Sequence, residues 1–172
     1  MSSSSREAIR KRYLPDVIVQ THEGKAALFY EDLVKDKIVV LNFMYLNCES
    51  TCPTTLHNLM DVHARLKSRV GRDIFMYSIT LDPERDTVAA LRKEVHGHIG
   101  ARPGWLFLRA SPQDTEQLRR KLGFISSDPA VDANKSSHGA MIRFGNEPRE
   151  LWATVSAFAS PQAISRAILW VA

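Results

Sequence analysis

With 172 residues the chain has the length of one ordinary domain, and a hydrophobic share of 44% is enough to build a buried core. The charged fraction is 24%, and a net charge of +4 is spread along the chain rather than gathered into a basic block, which argues against nucleic acid as a partner. No apolar run reaches the roughly 18 to 20 residues that span a bilayer, and the start, Met1-Ser2-Ser3-Ser4-Ser5, lacks the apolar centre of a secretory signal. The expectation is a monomer without an anchor in this chain, either cytoplasmic or relieved of an export segment.

Residues 1–13 are polar and read as a flexible segment or loosely docked helix, and residues 14–172 read as a single domain. Val17 and Val19 alternate with polar neighbours, Glu23-Gly24-Lys25 offers a turn and Ala26 to Tyr30 resumes an apolar run, predicting a small hairpin. Ile38 to Tyr45 is a nearly continuous apolar strand of the kind buried on both faces of a sheet. Pro53 suits a first helical turn, and Leu56, Leu59, Met60, His63, Leu66 and Val70 recur at helical spacing toward Gly71. Ile74 to Thr80 is a second strand; Asp86 or Thr87 can cap a helix carrying Val88, Leu91, Val95 and Ile99.

Trp105 to Leu108 is a third strand, and Ser111-Pro112 opens a helix ending near Gly123. A long loop from Phe124 to Ser137 leads into a strand from about Gly139 to Phe144, Leu151 to Val155 returns, and Ser160-Pro161 opens a last helix. Strands alternating with helices, then a hairpin and a closing helix, define an α/β chain of thioredoxin-like fold: a central mixed sheet flanked by helices, with an extra N-terminal hairpin.

Two cysteines lie four apart in Cys48-Glu49-Ser50-Thr51-Cys52-Pro53, where the first core strand gives way to the first long helix. A staple so short removes little entropy from the unfolded chain, so the pair is there for its chemistry. Cys52 at a helix amino terminus should have a lowered thiol pKa, and Cys48 is near enough to form a disulfide with it or to share a soft metal ion. Two thiolates suit copper(I), whereas zinc would want four closed ligands.

A histidine would complete a three-coordinate site able to hold copper(II) as well, and six are candidates. His138 is favoured, since it ends a polar loop and begins a strand at the sheet edge. His63 lies on the apolar face of its helix and reads as a core residue; His57 could face the cysteines but reads as exposed; His96 and His98 read as solvated, and His22 only adjoins a turn. Asp82 ends a strand on the cysteine edge and could support the site from behind the ligands, while Met44 reads as core.

Cys-x-x-x-Cys-Pro after Val39-Val40-Leu41-Asn42-Phe43-Met44-Tyr45 resembles the metal-binding motif of the Sco (SenC) copper chaperones of cytochrome oxidase assembly. Leu81-Asp82-Pro83-Glu84-Arg85-Asp86-Thr87, Gly104-Trp105-Leu106-Phe107-Leu108 and Leu122-Gly123-Phe124 resemble further segments of that family, in register over residues 15–170. The resemblance implies that Cys48, Cys52 and His138 bind copper, and that the acceptor is the binuclear copper centre of cytochrome c oxidase or another copper protein. It also implies the periplasmic side of an inner membrane or the mitochondrial intermembrane space. Other readings of the same cysteine pair are a thiol-disulfide oxidoreductase that reduces the acceptor's cysteines and a copper or redox sensor. The chain departs from the family in Glu49-Ser50-Thr51 between the cysteines and in Ser136-Ser137 before the histidine.

Overall fold

The computed structural model describes residues 3–49 and 52–172, so Ser50 and Thr51 of the cysteine motif lie outside the described residues. The elements in chain order are α1 (Ser3–Tyr13), β1 (Ile18–Thr21), β2 (Ala26–Leu28), β3 (Ile38–Met44), α2 (Cys52–Leu66), β4 (Ile74–Thr80), α3 (Val88–Glu94), β5 (Trp105–Arg109), α4 (Pro112–Lys121), α5 (Pro129–Ala133), β6 (Met141–Asn146), β7 (Leu151–Ser156) and α6 (Pro161–Val171). A seven-stranded sheet has the order β2-β1-β5-β4-β3-β6-β7. Strands β3, β4 and β5 are parallel, whereas β6 runs antiparallel to β3, β7 to β6, and the β1–β2 hairpin is joined antiparallel to β5.

Helices cover both faces of the sheet, and β3 at its centre is buried along its whole length. Val40 and Met44 pack with Leu59, Val62 and Leu66 of α2 and with Ile164 and Ile168 of α6. Val39, Leu41 and Phe43, pointing the other way, pack with Leu14, Phe29, Leu118 of α4 and Leu122 just after it. The α/β fold with its mixed sheet, flanking helices and N-terminal hairpin is therefore the one the sequence predicts. Ser111 and Ser160 cap α4 and α6 by accepting from the amides of Asp114 and Ala163, each with proline in the first turn.

Of the two expected caps of α3, Thr87 is the one used, accepting from the Ala90 amide, while Asp86 is buried in front of it. The structure departs from the expected elements before β6 and at the N-terminus. The long loop before β6 contains α5 and then a 3-10 turn from Lys135 to Ala140, so β6 starts at Met141 and His138 lies in the turn rather than at a strand start. The N-terminal residues form α1, fastened by Arg6 to Glu147 at 2.6 Å, by Arg10 to Glu31 at 2.8 Å and by the Lys121 ammonium donating to the Lys11 carbonyl at 3.0 Å.

Candidate metal centre at the carboxyl end of the central strand

The chain leaves β3 at Met44 and turns at once, the Cys48 amide donating to the Tyr45 carbonyl over 3.2 Å. Cys52 is the first residue of α2. The two thiols are buried, and the Cys52 amide donates to the Cys48 sulfur over 3.4 Å. An amide at a helix start favours negative charge on the atom it faces, so here it favours a thiolate at Cys48. Tyr45 makes a second hydrogen bond to Cys48; burial first, and then that bond, push its hydroxyl pKa up to about 12.

The turn is held from below by a residue outside the predicted set. Asp86 accepts the Leu46 amide at 3.0 Å and the Thr80 hydroxyl at 2.5 Å, joining the cysteine turn to the end of β4. Burial raises the Asp86 carboxyl above its ordinary value, against the hydrogen bonds from Thr80 and Leu46. Its sequence signal is indistinguishable from that of a helix cap, and only the fold reveals the buried carboxylate.

Cys48 and Cys52 line a cavity of about 280 Å³ whose walls include Met44, Tyr45, Met60 and, at its rim, His57 and His98. Met44 is core, as expected, and also borders this cavity. His57 and His98 are exposed, and His98 Nδ1 lies 2.9 Å from a Glu94 carboxylate oxygen. His63 is the structural residue its position predicts: Nε2 lies 2.9 Å from the Pro103 carbonyl oxygen and the ring stacks on Trp105. His22 is buried, and its Nδ1 accepts the Phe107 amide at 3.2 Å.

His138 is buried but faces a different cleft, on the α4 side of the sheet, which it lines together with Asp82, Lys135, Arg119 and Asp132. Its Nε2 lies 2.8 Å from the Asp132 carbonyl oxygen and 3.4 Å from Nη1 of Arg119. Arg119 in turn holds Asp132 at 2.7 Å, Glu116 at 2.8 Å and the Phe124 carbonyl at 2.8 Å. Asp82 pairs with Lys135 at 3.2 Å, so it belongs with the histidine turn, although its charge is felt at Tyr45. Among the described residues no group of histidine, cysteine and carboxylate side chains is gathered ready to hold a metal. The turn carrying His138 nevertheless packs on β3 and α2, the elements that carry the cysteines.

A family model described as SCO1/SenC matches residues 19–172. The chain belongs to the SCO1/SenC family. A SCO1 protein homolog of Bacillus subtilis is 27% identical over 94 residues, 55% of this chain and 47% of that protein. The chain spans about half or less of the length of the curated relatives it matches.

Among solved structures, that of Arabidopsis thaliana ScoI with copper bound superposes with a TM-score of 0.70 at 19% identity, covering 90% of this chain and 94% of that one. A structure of BsSco, a member of the Sco family of cytochrome c oxidase assembly proteins in which a disulfide switch was identified, gives 0.71 at 22% identity, with 90% of each chain covered. These likenesses establish the shared thioredoxin-like fold. Among the described residues no helix is long and apolar enough to cross a membrane.

Proposed function

We propose that this SCO1/SenC chain is a copper metallochaperone whose cargo is held by Cys48 and Cys52, steadied by His138, and passed by ligand exchange to the binuclear copper centre of cytochrome c oxidase. The observation that carries the reading is the pair of buried sulfurs at the junction of β3 and α2, one of them accepting the first amide of the helix. Two cysteine sulfurs lining one methionine-bordered, largely apolar cavity are a donor set suited to a soft monovalent ion. The copper bound in the solved Arabidopsis ScoI supports the same cargo.

In this reading His138 reaches the sulfurs only after Nε2 leaves the Asp132 carbonyl and the Lys135–Ala140 turn shifts, which the half-buried ion pair between Lys135 and Asp82 opposes. Asp82 acts on this turn rather than on the metal. The periplasmic side of an inner membrane, or the mitochondrial intermembrane space, is the compartment that goes with this acceptor.

A second reading, reduction of the acceptor's disulfide, is favoured by the amide aimed at Cys48. The Cys48 thiolate attacks one acceptor sulfur and expels the other as a thiolate, which takes up the Cys52 proton. Cys52 then attacks the Cys48 sulfur of the mixed disulfide and expels the second acceptor sulfur as a thiolate that protonates from water, which leaves the acceptor reduced and this chain as the Cys48–Cys52 disulfide. Mixing the copper(I)-loaded chain anaerobically with an apo acceptor peptide separates the two. The chaperone reading expects copper to move to a reduced peptide; failure to transfer, with reduction of an oxidised peptide by the metal-free chain, supports the oxidoreductase instead.

A further inference from the structure

Arg143 occupies the middle of β6, opposite Leu41 of β3 and Thr154 of β7. Its Nε is buried without a hydrogen-bond partner, and no charged side chain among the described residues offsets the burial that lowers the guanidinium's pKa. Arg119, by contrast, holds two carboxylates. A half-buried cation lacking a counter-charge is costly in a folded domain.

The surroundings are shaped to keep it. The Cζ of Arg143 lies 5.7 Å from the Trp152 ring centre, within cation-π range. Gly145 is the cross-strand partner of Trp152, and a Cβ on it would fall 2.3 Å from the indole Cε3, so the ring lies directly on the glycine backbone. Gly123, at φ +81°, leaves space for the guanidinium, since a Cβ there would stand 3.0 Å from Nη1. Ile9, Tyr13 and Leu14 close the other side, giving a cavity of about 200 Å³ walled by apolar and aromatic side chains with one cation in it. That is somewhat larger than the roughly 150 Å³ apolar cavity known to accept benzene.

We propose that this cavity binds a small amphipathic monocarboxylate, its ring or short chain lying against Trp152, Ile9, Tyr13 and Leu14 and its carboxylate paired with Arg143. The forked guanidinium supplies two parallel donors to a carboxylate, and the apolar walls disfavour a fully hydrated anion such as phosphate. The cysteines pack into the core on the α2 face, whereas this cavity opens between α1 and β7, so the site is independent of the copper reading.

The test is titration of the reduced, copper-free chain with phenylacetate, followed by two-dimensional 1H–15N NMR. Saturable shifts are expected at the Arg143 Nε–H, the Trp152 indole N–H and the Gly123 amide. Acetate, which lacks the ring, and toluene, which lacks the charge, should bind about tenfold or more weaker, as should phenylacetate to Arg143→Gln. Should Arg143→Gln not fold, Tyr13→Ala at the exposed mouth serves instead, with weaker phenylacetate binding expected. The proposal is overturned if no saturable shift occurs, if the shifts map to the cysteine cavity, if the substituted chain binds equally well, or if inorganic phosphate competes as effectively as phenylacetate.

Discussion

The Asp86 carboxylate accepts the Leu46 amide over 3.0 Å, and through it the turn that carries the cysteines is anchored to the end of β4. Removing the carboxylate strands a buried hydroxyl, at a cost of about 1–3 kcal/mol, and a half-buried amide. Asp86→Ala should therefore lower unfolding stability by about 2 kcal/mol or more and weaken copper(I) retention, whereas Asp86→Asn, which keeps an acceptor, should lose less of both. Urea unfolding and competition with a copper(I) chelator measure the two effects, and an Asp86→Ala chain as stable as wild type would refute the anchoring role.

Arg119 ties α4, α5 and the His138 turn together, and it holds the Glu116 and Asp132 carboxyls below their ordinary values, chiefly by direct hydrogen bonds. Carboxylates with depressed folded-state pKa values contribute stability that is present above their unfolded values of 4.5 and 3.8 and is lost as the pH falls through the folded ones. The stability lead of wild type over Arg119→Met should accordingly be full at pH 7 and shrink as the pH is lowered below about 4.5. Chemical denaturation at a series of pH values checks this; a lead that grows toward acid would contradict it.

His138 is committed to the Asp132 carbonyl, while the two cysteines line one cavity and the Cys52 amide faces the Cys48 sulfur. Copper(I) accepts two thiolates alone, whereas copper(II) prefers added nitrogen donors. His138→Ala should keep measurable copper(I) binding and normal disulfide formation but lose the copper(II) complex with its thiolate-to-copper charge-transfer absorption. His57→Ala serves as the control, because His57 borders the cysteine cavity at an exposed position and is expected to change neither. An unchanged visible spectrum for His138→Ala, with loss in His57→Ala, would move the third donor to the helix.

Strand β3 is legible in the sequence because an uninterrupted apolar run has one stable destination, the middle of a sheet covered on both faces. The starts of α4 and α6 are legible because serine followed by proline meets the demands of a helix start locally. The structure around His138 is not: Lys135-Ser136-Ser137-His138-Gly139 has the composition of a loop, and the orientation of its imidazole depends on Arg119 and Asp132, which come from other elements. Likewise Asp82 is legible as a polar strand end but not as the partner of Lys135, and Tyr45 reads as part of an apolar run although its hydroxyl reaches Cys48. Side chains that reach across elements are set by tertiary packing, to which local pattern is blind.

The most direct measurement is an anaerobic titration of the reduced chain with copper(I) against a competing chelator, repeated for Cys48→Ser and Cys52→Ser. A single thiolate leaves the ion under-coordinated. One tightly held copper(I) per wild-type chain is predicted, with tight binding abolished in each single serine chain. Retention of stoichiometric, tight copper(I) by either serine chain would contradict the assignment of the cysteine pair as the metal site.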